Sequence, residues 1–282
     1  MTQSRFTLPP LATDTHCHVF GPAATFPYAP GRTYTPADAP KEQLAALHKT
    51  LGIERAVIVQ ASCHGTDNRA VLDAIATSCG RYRGVAIVDE SFTEKDYAAL
   101  HDGGIRGVRF NFVKHLGGTP NLNVVHHVLE CIRPFSWHLV VHLDAADLVE
   151  LSGLLRGLPL PFVIDHMARV QTSAGLRQVP FRALLDLVQL DTCWVKVSGA
   201  ERISAAGPPF HDALPFMRAL IEAAPDRVLW GTDWPHPNVG HHVNEEELVG
   251  LVPAIAPDEP VQRKLLVDNP ARLYGFDLRN KL

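Results

Sequence analysis

The chain reads as an α/β protein, a (β/α)8 barrel, on three observations. Eight short apolar, β-branched runs recur along its 282 residues; each ends in polar or ionisable side chains; and each is followed by an amphipathic stretch. In order, the runs are Leu11–His18, Glu54–Gln60, Tyr82–Asp89, Ile105–Phe112, His138–Asp144, Pro161–His166, Cys193–Ser198 and Arg227–Asp233. Parallel strands covered on both faces are continuous apolar runs of this kind, and eight of them close a barrel. Between them lie segments with helical spacing, such as Lys41–Leu51 with Leu44, Leu47 and Leu51, and Phe181–Leu190 with Leu184, Leu185, Leu187 and Val188 turned inward. A Pro/Gly-rich stretch from Phe20 to Pro40 exceeds the usual βα loop length and reads as a lid over the strand ends. With no repeat, linker or charge block, residues 1–282 are expected to form a single domain.

Composition narrows the function. The chain is 46% hydrophobic and 20% charged, and 26 basic against 30 acidic residues leave a net charge of -4. That balance creates no field for a phosphate backbone or an anionic lipid surface, so neither nucleic acid nor a membrane is an expected partner. The five cysteines are odd in number and contain no C-x-x-C pair, which suits reduced thiols in a cytoplasmic protein. No export signal and no uninterrupted apolar stretch of about 18 residues is present.

The informative count is histidine, with 15 copies. Barrel enzymes build their sites at the C-terminal strand ends. The first run ends Asp14-Thr15-His16-Cys17-His18, and residues two apart on a strand face the same way, so both imidazoles enter one space. Other runs end at Gln60 to His64, Arg109 to Asn111, His142 to Asp144, Asp165-His166, Lys196 to Ser198 and Gly231 to Trp234. Gathering imidazoles, a carboxylate and a guanidinium in one place is costly unless they are paired, bound to metal or used in catalysis. His16, His18, His166 and Asp233 are therefore the candidate catalytic group, whereas His126, His127 and His211 read as ordinary surface or core residues.

At these positions the chain resembles the amidohydrolase superfamily. Within it, the segments DTHCHVFGP, VQASCHGTDNRA, GIRGVRFNFVKH, IDHM, KVSGAERIS, VLWGTDWPHPN and LLVDNPARLYGF are similar to the 2-pyrone-4,6-dicarboxylate lactonases and related muconolactone and sugar-acid lactonases, over nearly the whole chain. The resemblance implies hydrolytic opening of a small anionic lactone, as in the catabolism of lignin-derived aromatics. Asp233 would be the general base that activates water, with His16, His18 and His166 as imidazole donors to the carbonyl oxygen. Arg109 and Arg202 would grip substrate carboxylates, and Tyr34, Ser62 and Asn238 match further substrate-contacting positions.

Two positions depart from that pattern. His115 stands where those lactonases carry a second arginine, and His142 where they carry a tyrosine. Both are kept as substrate-binding candidates. His142 also completes, with His16, His18 and Asp233, the ligand set of mononuclear relatives, so one divalent ion (zinc or manganese) and metal-free catalysis both remain open. A metal-dependent decarboxylase and a catalytically silent binder of small acids are the rival readings, and the oligomeric state is not legible in the sequence.

Overall fold

The structure is a computed structural model that describes residues 6–113, 118 and 120–278. Eight parallel strands run in the order β1 to β8: β1 (Thr13–Cys17), β2 (Arg55–Val59), β3 (Tyr82–Ala86), β4 (Ile105–Asn111), β5 (His138–His142), β6 (Phe162–Ile164), β7 (Cys193–Lys196) and β8 (Val228–Leu229). Each expected run holds one strand, trimmed at its ends where the chain turns to polar residues. The barrel closes through the segment after β8. Thr15 donates to Trp230 O at 3.0 Å, His18 to Trp234 O at 2.8 Å, and Asp233 to His16 O at 2.7 Å. Gly231 makes this closure possible, because a Cβ there would lie 2.6 Å from the amide nitrogen of His16.

Alternation along the strands separates two cores. Val57, Val59, Val85, Val140, Val163 and Leu229 face the barrel axis and fill its lower half together with Tyr274 and Phe276 from the C-terminal region. Ala56, Ile58, Val108, Leu139, Val141 and Val195 face outward and pack under the helices. Burying such strand residues contributes roughly 1.5–3 kcal/mol per large side chain, and this apolar floor leaves the upper strand ends as the place where polar groups collect.

Helix α1 (Lys41–Leu51) has the expected bounds, and Leu44 and Leu51 are buried as anticipated while Leu47 is only partly so. His48 is buried on the same face. Further helices follow at α2 (Arg69–Ala76), α3 (Glu94–Asp102), α4 (Leu122–Ile132), α5 (Ala145–Arg156), α6 (Val179–Leu187), α7 (Ala200–Ile203), α8 (Leu214–Ala223) and α9 (Glu245–Gly250). The expected helix Phe181–Leu190 begins two residues earlier, with Pro180 in its first turn, and ends three earlier; Leu185 is half-buried. Proline is tolerated there because its missing N–H would be unpaired in any case. The long stretch after β1 is tied at its base by antiparallel pairing of Phe20 with Ala39. Among the described residues, no helix is long and apolar enough to cross a membrane.

Candidate active site

The upper strand ends enclose a polar cavity. His18, Tyr34, Ser62, Arg109, His142, His166, Arg202, Asp233 and Asn238 all line it, as expected. His16 is fully buried just beneath, and His115 lies outside the described residues. Arg169 also lines the cavity and was not anticipated. Residues 166–169 all have left-handed backbone, with φ between 48° and 53°. Such a turn costs roughly 1–2 kcal/mol per non-glycine residue, and it places both His166 and Arg169 in the cavity wall. Gly199 accommodates it: a Cβ there would stand 2.8 Å from His166 Cβ.

Asp233 is the centre of the arrangement. It is fully buried, its Oδ2 is held by Arg202 Nε, and its Oδ1 has no hydrogen-bond partner. Around Oδ1 stand the Nε2 atoms of His16 at 3.7 Å, His18 at 3.5 Å and His166 at 3.7 Å. Burial alone would raise this carboxyl, yet Arg202 and the imidazoles hold it well below the usual range, so it is ionised. Burial, aided by Lys196, pushes His16 down to about 3, and burial likewise carries His166 and His142 well below their ordinary values. These three imidazoles are neutral at pH 7.

Partners on the far side of each ring assign its proton. His18 Nδ1 lies 2.7 Å from Val59 O, and a carbonyl only accepts, so Nδ1 carries the hydrogen. The other nitrogen of His18, Nε2, is the one that faces Asp233. His16 Nδ1 lies 2.9 Å from Lys196 Nζ and 3.3 Å from Asp165 Oδ1. An ammonium only donates, so the shorter contact leaves the hydrogen of His16 on Nε2, facing Asp233. His166 Nδ1 meets Ser198 Oγ at 3.0 Å, and that hydroxyl can donate or accept.

A second layer supports this one. Asp165 is fully buried and lies 3.0 Å from Lys196 and 3.2 Å from Arg109 Nε. Against the upward push of burial, Lys196, His16 and Arg109 hold it well below the carboxylate range. Asp165 and Lys196 stand at strand ends in the sequence, but their pairing crosses from β6 to β7 and has no local signature. His142 is buried with both ring nitrogens unpartnered, its ring 5.9 Å from that of His166. The donor atoms that come within 4.8 Å of one another here belong to His16, His166 and Asp233, so of the set expected for a metal His16 and Asp233 are grouped, His18 and His142 fall outside, and His166 joins.

A family model described as amidohydrolase matches residues 13–276. The chain belongs to the amidohydrolase family. It is 46% identical over 283 residues to a 2-pyrone-4,6-dicarboxylate hydrolase of Comamonas testosteroni, covering 97% of this chain and 93% of that one. It is 43% identical over 274 residues to a 4-sulfomuconolactone hydrolase of Rhizobium radiobacter, covering 96% and 92%. A solved structure from Pseudomonas putida, provisionally described as a 2-pyrone-4,6-dicarboxylic acid hydrolase, superposes with a TM-score of 0.85 at 33% identity, covering 96% of this chain and all of that one.

Proposed function

We propose that this amidohydrolase is a lactonase that hydrolyses a small lactone bearing anionic groups, with 2-pyrone-4,6-dicarboxylate as the substrate to try first. The observation that carries the reading is the ionised, hydrogen-bond-free Oδ1 of Asp233 at the centre of three imidazole Nε2 atoms. Asp233 takes one proton from a water whose oxygen attacks the lactone carbonyl carbon. The ring C–O bond breaks, and the proton passes from Asp233 to the departing ring oxygen. His16 Nε2–H is a donor to the developing oxyanion, and His166 is a second donor when Ser198 supplies the hydrogen at Nδ1. His18, whose Nε2 stands 3.5 Å from the base, is placed to orient the attacking water.

Charge favours an anionic substrate. The charged groups lining the cavity are Arg109, Arg169 and Arg202 against Asp233 alone, an excess of cations that suits a dicarboxylate or a sulfonated carboxylate. Arg169 offers a guanidinium in addition to the two expected from the sequence. His142, Tyr34, Ser62 and Asn238 are assigned to the remaining polar contacts of the substrate.

A divalent ion fits these residues poorly. Its charge would add to three guanidinium groups, and Arg202 already engages Asp233. The reaction is accordingly assigned to the chain's own side chains.

The test follows pyrone ultraviolet absorbance when 2-pyrone-4,6-dicarboxylate meets enzyme before and after verified metal removal. Turnover that survives stripping is expected. No turnover by metal-replete enzyme on either the pyrone dicarboxylate or 4-sulfomuconolactone would overturn the proposal. Preference for the sulfonated lactone would move the substrate assignment, with His142 as the first residue to exchange.

A further inference from the structure

Behind Arg202 lies a buried carboxylate that the proposed reaction does not use. Glu201, in α7, is fully buried and neither of its oxygens has a hydrogen-bond partner. Its Oε1 stands 3.7 Å from Arg202 Nε, the same nitrogen that holds Asp233, and 3.6 Å from His236 Nδ1. His236 Nε2 in turn meets Glu245 Oε1, at the start of α9, at 3.3 Å. Asp233, Arg202, Glu201, His236 and Glu245 therefore form a file of alternating charge that runs from the cavity to a residue at the protein's edge. Burial works against a charged His236, yet Glu201 and Glu245 on its two nitrogens raise it to about 9.

A buried carboxylate without hydrogen bonds is expensive, and nothing in the packing of a four-residue helix calls for one. Its cationic neighbours are His236 and, at nearly the same distance, a guanidinium that already serves another carboxylate. We propose that Glu201 is a positioning residue for the reaction: by sharing Arg202 with Asp233, it limits how tightly Arg202 holds the base and how much positive charge faces a substrate anion, and Glu245 acts on it through His236. The inference rests on the lactonase reading for its kinetic consequence but not for its binding consequence.

The two carboxylates compete for one cation, which gives the test a characteristic sign. In Glu201→Gln, Arg202 turns its full charge to Asp233 and the cavity. Binding of isophthalate, a non-hydrolysable dicarboxylate with meta-placed carboxyl groups, should tighten by roughly three- to tenfold in calorimetry. KM for the pyrone dicarboxylate should fall, and kcat should fall with it because Asp233 yields less readily to a proton. Glu201→Asp should recover most of both. Glu245→Gln, at the accessible end of the file, should move both quantities in the same directions by a smaller factor, and it serves if the buried variant does not fold.

A merely structural role loosens the site, so weaker isophthalate binding with a higher KM in either variant overturns the inference. Unchanged binding in both overturns it too, as does an enzyme that binds no isophthalate at all. Tighter isophthalate binding by Glu201→Gln in an enzyme that opens no lactone would instead uphold the charge-sharing and defeat the lactonase reading.

Discussion

Two carboxylates, Asp14 and Asp233, flank the seam where the barrel closes, and both are fully buried. Asp14 is saturated. It accepts from the amides of His16 and Thr232, each at 3.0 Å, and from Thr232 Oγ at 2.5 Å, with His48 Nε2 at 3.3 Å. Asp233 keeps one oxygen without any hydrogen bond, facing the cavity. Identical groups under identical burial thus serve opposite ends: the satisfied one ties β1 to the chain after β8, and the unsatisfied one retains its capacity for a proton.

The sharpest break of this comparison exchanges each for its isostere. Asp233→Asn should lower kcat by roughly 10²–10⁴-fold while circular dichroism shows the fold retained. Asp14→Asn should do the reverse, costing about 1–2 kcal/mol and roughly 2–6 °C in Tm, with turnover per folded molecule within about threefold of the parent. Equal catalytic losses from both would remove the distinction.

Acid should reveal a second contrast, between His16 in the site and His138 below it. Both are held near 3 by burial, with Lys196 adding to the effect, against 6.5 when unfolded. The unfolded chain therefore binds more protons between those values, and stability should decline as pH falls from about 6.5 towards 3, on the order of a few kcal/mol. His138 has no partner on either nitrogen. Hence His138→Leu should flatten part of that slope in thermal scans and leave kcat unchanged; an unaltered slope would show that its burial is not what titrates.

Smaller effects concern the groups around Asp233. Arg169→Gln should raise KM for a dicarboxylate by roughly tenfold with kcat nearly constant, since Arg169 lines the cavity and pairs with Asp144 at 3.2 Å rather than with the base. Ser198→Ala, which removes the partner of His166 Nδ1, should cost about 1 kcal/mol of transition-state stabilisation, a few-fold in kcat. A loss of 100-fold would make Ser198 a participant in the chemistry.

What was legible in the sequence was whatever depends on neighbours along the chain. The eight strands follow from continuous apolar runs, and the pairing of His16 with His18 on one side of β1 follows from alternation. The polar ends of those runs pointed to His18, Arg109, His142, His166 and Asp233 in the cavity wall, while Tyr34, Ser62, Arg202 and Asn238 came from the resemblance to the lactonases. Contacts between distant strands were not legible. Nothing local announces that Lys196 reaches Asp165 and His16, that Val59 takes the hydrogen of His18, or that His48 of α1 faces Asp14. Arg169 was missed because its left-handed turn is built of His, Met, Ala and Arg, with no glycine or asparagine to signal it.

The seam also dictates when a growing chain acquires its site. Asp14 is made more than two hundred positions before its donor Thr232 and the base Asp233. No emerging fragment that stops short of β8 holds the base beside the three imidazoles, and the last strand to be synthesised must find the first. The ring-opening apparatus is thus completed by the same event that shuts the barrel, so a half-made molecule has no reactive centre to misuse.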